Sequence, residues 1–172
     1  MDIFIAWVGR VSQLCGVIAA LLLAAAVLVV CEMVVLRYFL NASTIWQTEF
    51  VIYSLVAATF IGSPYVLLRR GHVNVDLLPL YLGHRGRVAL ALIASLAALA
   101  FTLVVAWTGF VLWREAWDGG WRTDTVWELP LWISYLPLPL GIGLLALQYV
   151  ADILSLLTGR AMPFGLDPGE RP

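Results

Sequence analysis

Few side chains in this sequence are of a kind that does chemistry, and they stand far apart. Glu32 lies within an apolar run. A carboxylate inside a candidate transmembrane segment is a functional candidate by default, because hydrocarbon disfavours its charge unless an ion, a substrate or a partner offsets the cost. His72 and Asp76 are four residues apart, with His84 beyond them. That spacing matches no compact ligand set, so Asp76 accepting from His72 is expected and no metal is assigned. Cys15 and Cys31 would lie about 24 Å apart on one helix, beyond the reach of a disulfide. No CxxC is present, and both cysteines read as buried small apolar residues. Both histidines lie outside the apolar runs, so haem cannot be held within a bundle. There is no Ser-His-Asp arrangement, Walker loop or GxGxxG. No catalytic residue, cofactor or enzymatic activity is expected.

The elements that would position these residues follow from composition. Of 172 residues, 62% are hydrophobic and 12% charged, and the mean hydropathy is +0.93. The charged share is about half that of a soluble domain, so the chain is an integral membrane protein. A net charge of -1 points to neither nucleic acid nor a polybasic lipid anchor.

Four apolar runs each suffice for a membrane crossing, which needs roughly 20 residues. The expected helices cover residues 11–36, 46–68, 86–113 and 131–157 of a single all-α, four-helix membrane domain spanning 1–172. The first run offers Ala24-Ala25-Ala26 as a cleavage-like site. It continues, Glu32 aside, to Leu36, so an uncleaved helix is expected. Arginine placement orients the spans: Arg10, Arg69, Arg70, Arg85, Arg87, Arg160 and Arg171 fall on one side, Arg37, Arg114 and Arg122 on the other. By the positive-inside rule both termini are cytoplasmic. Residues 72–83 are apolar but short and broken by Pro79, which suits an interfacial amphipathic segment between helices two and three. Residues 158–172 form a tail.

Tryptophan is distributed unevenly. Only Trp7 falls on the inner side. Trp46, Trp107, Trp113, Trp117, Trp121, Trp127 and Trp132 fall towards the outer boundary. Belts of indole normally occur at both faces. Trp113, Trp117 and Trp121 recur every four residues and share a face if helix three runs on past the bilayer. Pro130, Pro137 and Pro139 should break or kink the fourth helix, and Pro64 should bend the second. Small residues at Gly16, Ala20 and Ala24, and at Ala94 and Ala98, have spacings that allow close helix contact. Arg37 and Glu49 flank the first turn, where each complements a helix dipole and an ion pair between them is expected.

Several of these residues form an ordered set: Arg37-Tyr38, Asn41, Trp46-x-x-Glu49, Phe60-x-Gly62, then Arg70-Gly71-His72-x-x-Val75-Asp76-x-Leu78. The set resembles the small membrane subunit (Q subunit, DctQ type) of tripartite ATP-independent periplasmic (TRAP) transporters, and it covers about a quarter of the chain. The family commonly has two adjacent acids after the Trp, whereas Thr48 precedes Glu49 here. The resemblance implies an accessory subunit in the bacterial inner membrane. Its implied partners are a large membrane (M) subunit, which moves substrate and sodium by an elevator-type motion, a periplasmic substrate-binding (P) subunit, and membrane lipids. Organic acids are the implied cargo. On that basis Arg37, Trp46, Glu49, Arg70, His72 and Asp76 are subunit-interface or structural residues; Glu32, five residues before Arg37 near the outer boundary, is placed with them by its own position, as a structural or interfacial pair or a subunit contact. Arg114, Asp118, Arg122, Asp124 and Glu128 are candidates for docking the binding protein, by their exposure and charge. The alternative is a self-sufficient proton-coupled exporter, acting as a homodimer through Glu32. A membrane oxidoreductase subunit is the third reading, disfavoured for want of haem ligands and CxxC.

Overall fold

The computed structural model describes residues 2–69 and 84–158. Arg70, His72 and Asp76, the segment 72–83 and the tail beyond Thr158 lie outside the described residues. Among the described residues the helices are α1 (Asp2–Phe39), α2 (Trp46–Leu68), α3 (His84–Asp118), α4 (Leu131–Tyr135) and α5 (Pro137–Leu157). Helices α4 and α5 together make one span, Leu131–Leu157, so four spans are long and apolar enough to cross a membrane.

Helices α1 and α3, at 38 and 35 residues, outrun the apolar runs that predicted them. No glycine or proline intervenes at their far ends to stop them until the turns do. After α1, Asn41 adopts a left-handed φ of 47°, and the amide of Ala42 folds back onto the Leu36 carbonyl at 3.1 Å. After α3, Gly120 takes φ +58°. The Gly120 amide then donates to Trp117 O at 3.2 Å and the Trp121 amide to Ala116 O at 3.1 Å. That is a Schellman stop, in which two orphan carbonyls of the last turn are satisfied by the chain that leaves it.

The spans run up and down. Helices α2 and α5 form the centre, with α1 packed mainly on α2 and α3 mainly on α5. The core is built from small side chains: Val8, Ser12, Cys15, Ala19 and Ala26 on α1, Ala91, Thr102, Gly109 and Ala116 on α3. Its largest fully buried side chains are only Pro64 and Ser12. Lipid is as apolar as leucine, so helices in a membrane gain most by close approach, and small residues permit it. A Cβ added at Gly62 would lie 3.1 Å from that of Ala19, and one at Gly16 would enter the Tyr65 ring. The stripe on α1 therefore differs from the expected one: Gly16 is at the seam, but Ala20 and Ala24 are exposed, as is Ala94 on α3. The true stripe steps by alternating fours and threes around the helix, whereas strict steps of four drift off the packed face. Cys31 is exposed rather than buried, while Cys15 is buried.

Proline acts as expected in the fourth span. The α-helix is interrupted at Leu136, and α5 restarts with Pro137 in its first turn. In α2, Pro64 sits inside a continuous helix and deprives the Phe60 carbonyl of its usual donor. That carbonyl points straight at Gly141 on α5, into the space any Cβ there would occupy. Glycine lets the neighbouring backbone cover the freed oxygen, as hydrocarbon requires.

Candidate functional site

Most of the candidate residues gather at one end of the bundle, where α1 ends, α2 begins, α3 ends and α4 begins. Arg37 does not pair with Glu49. Its Nε donates to Thr44 Oγ1 at 2.7 Å, because the left-handed turn at Asn41 brings Thr44 back under the end of α1. Glu49 turns inward instead, and both its carboxylate oxygens are buried without a hydrogen-bond partner among the described residues. The expected ion pair is thus replaced by a cap within the turn and an orphaned acid. Thr48 points its hydroxyl at Met33 Sδ, 3.7 Å away. Gln47 Oε1 and Trp113 Nε1 are also buried without hydrogen-bond partners among the described residues. Orphaned groups of this kind do not persist in hydrocarbon, so this end of the bundle belongs at the membrane–water boundary.

Tryptophan dominates the same end. Ring centroids step from Trp107 to Phe110 at 6.4 Å, to Trp113 at 5.8 Å and to Trp117 at 5.9 Å. Trp117 then meets Trp132 of α4 edge-on at 4.7 Å. Each such aromatic pair contributes about 0.5–1.5 kcal/mol beyond its burial. Trp121 lies past the end of α3 and does not extend the helical stripe. It lines a cleft of about 260 Å³ with Trp117, Gly120, Arg122, Pro130 and Trp132. That is small against the several hundred Å³ of a typical ligand pocket, and fits one side chain or headgroup. Trp127 reaches across from the α3–α4 loop to Trp46 at 6.3 Å, tying the loop to the start of α2.

The loop holding the docking candidates is a tight hairpin-like turn. Arg122 and Pro130 form an antiparallel bridge, and the Leu131 amide donates to Trp121 O at 2.9 Å. The Thr123 amide donates to Leu129 O at 3.0 Å, and the Leu129 amide returns to Thr123 Oγ1 at 3.0 Å. Glu128 takes a left-handed φ of 46°. Arg114 pairs with Asp118 at 3.5 Å and Arg122 with Glu128 at 3.8 Å. All four side chains are more than 60% exposed, so each pair adds at most about 1 kcal/mol. Their value lies in placing charge. Asp124 and Glu115 remain exposed beside them, leaving the segment net acidic.

Glu32 faces outward from α1, not into the bundle. Within a single chain it therefore lines no internal path.

A second polar constellation escaped the sequence reading. At the opposite end, buried Ser12 donates to Gln148 Oε1 at 2.8 Å, and Gln148 Nε2 donates to Asp152 Oδ1 at 2.9 Å. The chain links α1 to α5. Arg87, counted above only as a boundary cation, is buried at 5% exposure. The available signal was an amide and a serine within otherwise apolar runs, but nothing local says which pair would meet.

A family model for the DctQ component of tripartite ATP-independent periplasmic transporters matches residues 26–159. That range holds the last three spans whole, the end of the first from Ala26 onward, the first turn and the α3–α4 loop. The chain is also 26% identical, over 183 aligned positions, to a C4-dicarboxylate TRAP transporter small permease protein DctQ of Vibrio cholerae serotype O1. That alignment covers 90% of this chain and 77% of its relative. With the four spans in place and the match running through most of their length, this multi-pass membrane chain belongs to the DctQ family, the small permease component of TRAP transporters, and works with the transporter's other components.

Proposed function

We propose that the chain is an accessory subunit in the bacterial inner membrane, bracing the large sodium-coupled elevator subunit and helping the periplasmic substrate-binding protein to dock. The cargo on this reading is an organic acid. C4-dicarboxylates, for which the Vibrio cholerae relative is named, are one such class. Both termini are cytoplasmic, as the arginine bias favours, so the Trp-rich end faces the periplasm.

The observation that best supports docking is the α3–α4 loop. Its bridge, its paired backbone hydrogen bonds and the Trp127–Trp46 contact fix a charged surface in advance, and a preformed surface loses less entropy when a partner binds. Arg37, Trp46 and Glu49 organise the periplasmic ends of α1 and α2. Arg70, His72 and Asp76 anchor the cytoplasmic connection.

Affinity purification of the tagged chain from native membranes in mild detergent, followed by mass spectrometry, tests the assembly. A larger membrane protein in stoichiometric amount, joined at low salt by a soluble binding protein, is the expected result. A chain recovered alone or as a homodimer would refute it.

A further inference from the structure

Helix α1 is an edge helix, packed on α2 and, less extensively, on α5. The rest of its surface is exposed and apolar: Leu14, Val17, Leu21, Val27, Leu28, Val34 and Val35 are all at least 48% exposed. One acid interrupts this surface. Glu32 is exposed beside exposed Cys31, and no hydrogen bond or ion pair reaches it among the described residues. Its nearest cation in sequence, Arg37, lies about 140° further around the helix and is engaged by Thr44.

The depth of Glu32 follows from one contact between α1 and α2. Met33 is level with Thr48, and Thr48 lies two residues inside α2 from Trp46. Glu32 therefore sits roughly 4–5 Å below the Trp46 level, at 1.5 Å per residue. Indole marks the headgroup layer, so this carboxylate stands at the margin of the hydrocarbon, on a surface of valine and leucine.

We infer that the outward face of α1 around Cys31, Glu32 and Val35 is the seat of a membrane helix from the large transporter subunit, which presents an Arg or Lys to Glu32 among apolar side chains. The inference rests on the accessory-subunit reading and assigns that subunit a place on this chain. Charge complementarity selects the occupant. A second copy packed two-fold on this face would set Glu32 near its own equivalent, like charge against like charge. A cationic partner neutralises the acid where water is scarce, and its apolar flanks cover the remaining stripe.

The two cysteines supply the readout. Cys15 is buried and Cys31 exposed, so a maleimide reports on this face without mutagenesis. The complex is purified through a tag on this chain and labelled before and after the large subunit is stripped off by a harsher detergent. Cys31 is expected to be protected in the complex and reactive after stripping. In parallel, Glu32→Gln should weaken retention of the large subunit on the order of 100-fold, since removing one member of a buried ion pair leaves the other unpaired. Glu32→Asp should keep most of it. Equal reactivity of Cys31 in both states, or Glu32→Gln retaining the subunit as firmly as the native chain, would overturn the assignment while leaving the accessory reading intact. Protection that persists after stripping, or a Cys31-linked homodimer, would give the face to lipid or to a second copy and overturn it as well. A native chain that brings down no large subunit removes both readings together.

Discussion

The two ends of the bundle treat buried polarity in opposite ways. At the end where the chain starts, Ser12, Gln148 and Asp152 pass hydrogen bonds from α1 across α5, and the seam is closed by the chain's own atoms. At the Trp-rich end, Glu49, Gln47 and Trp113 keep buried polar atoms without a hydrogen-bond partner among the described residues, beneath a loop whose ionic groups are spread over the surface. Among the described residues, the first end satisfies its buried polar groups from within. The other leaves several open to something polar from outside, which is where a subunit that works alongside others should be incomplete.

The contrast depends on a shared seam, so the strongest way to break it is at Gly141. Gly141→Val places a branched side chain against the Phe60 carbonyl and should cost about 3 kcal/mol or more, since neither backbone can yield and the freed oxygen loses its cover. The expected result is a sharp fall in thermal stability in detergent and in membrane level. Tolerance would mean that α2 and α5 do not meet as described.

Gln148→Leu should cost about 1–2 kcal/mol by leaving the Ser12 hydroxyl and the Asp152 carboxylate without their amide partner. Ser12→Ala removes a single interhelical bond and should cost about 0.6 kcal/mol. Glu49→Gln sharpens the comparison from the other side. Because its carboxylate oxygens have no hydrogen-bond partner among the described residues, the isolated protein should be unchanged or a few tenths of a kcal/mol more stable. A clear loss would show that Glu49 is satisfied after all. The smallest effect on the fold belongs to Asp118→Asn, Asp124→Asn and Glu128→Gln combined, whose side chains are exposed. Stability should stay within about 0.5 kcal/mol, while uptake at limiting binding protein falls. Unchanged uptake would remove the loop from the docking surface.

Much of this was legible in the sequence because it rests on length and local chemistry. Four apolar runs define four spans, and Pro137 breaks the last one where its missing amide dictates. The bias of Trp towards one end is likewise compositional. What failed depended on which way a helix faces. Arg37 and Glu49 are neighbours along the turn, yet one caps it through Thr44 and the other rotates inward. Ala20 and Ala24 are as small as Ala19, but only Ala19 lies on the seam. In a helix apolar on every side, composition carries almost no information about rotation, and the buried Ser12–Gln148 contact across 136 residues carries no local signal at all.

The length of α1 has a mechanical consequence. Gly9 is already level with Leu68, where α2 finishes, yet the helix continues back to Asp2, an overhang of about 10 Å at 1.5 Å per residue. The overhang exposes Ile3, Phe4 and Trp7, and an indole there favours the headgroup layer. Because α1 is one continuous helix, any tilt of the bundle swings these side chains through an arc about 10 Å beyond the end of α2, and their removal from that layer opposes the tilt.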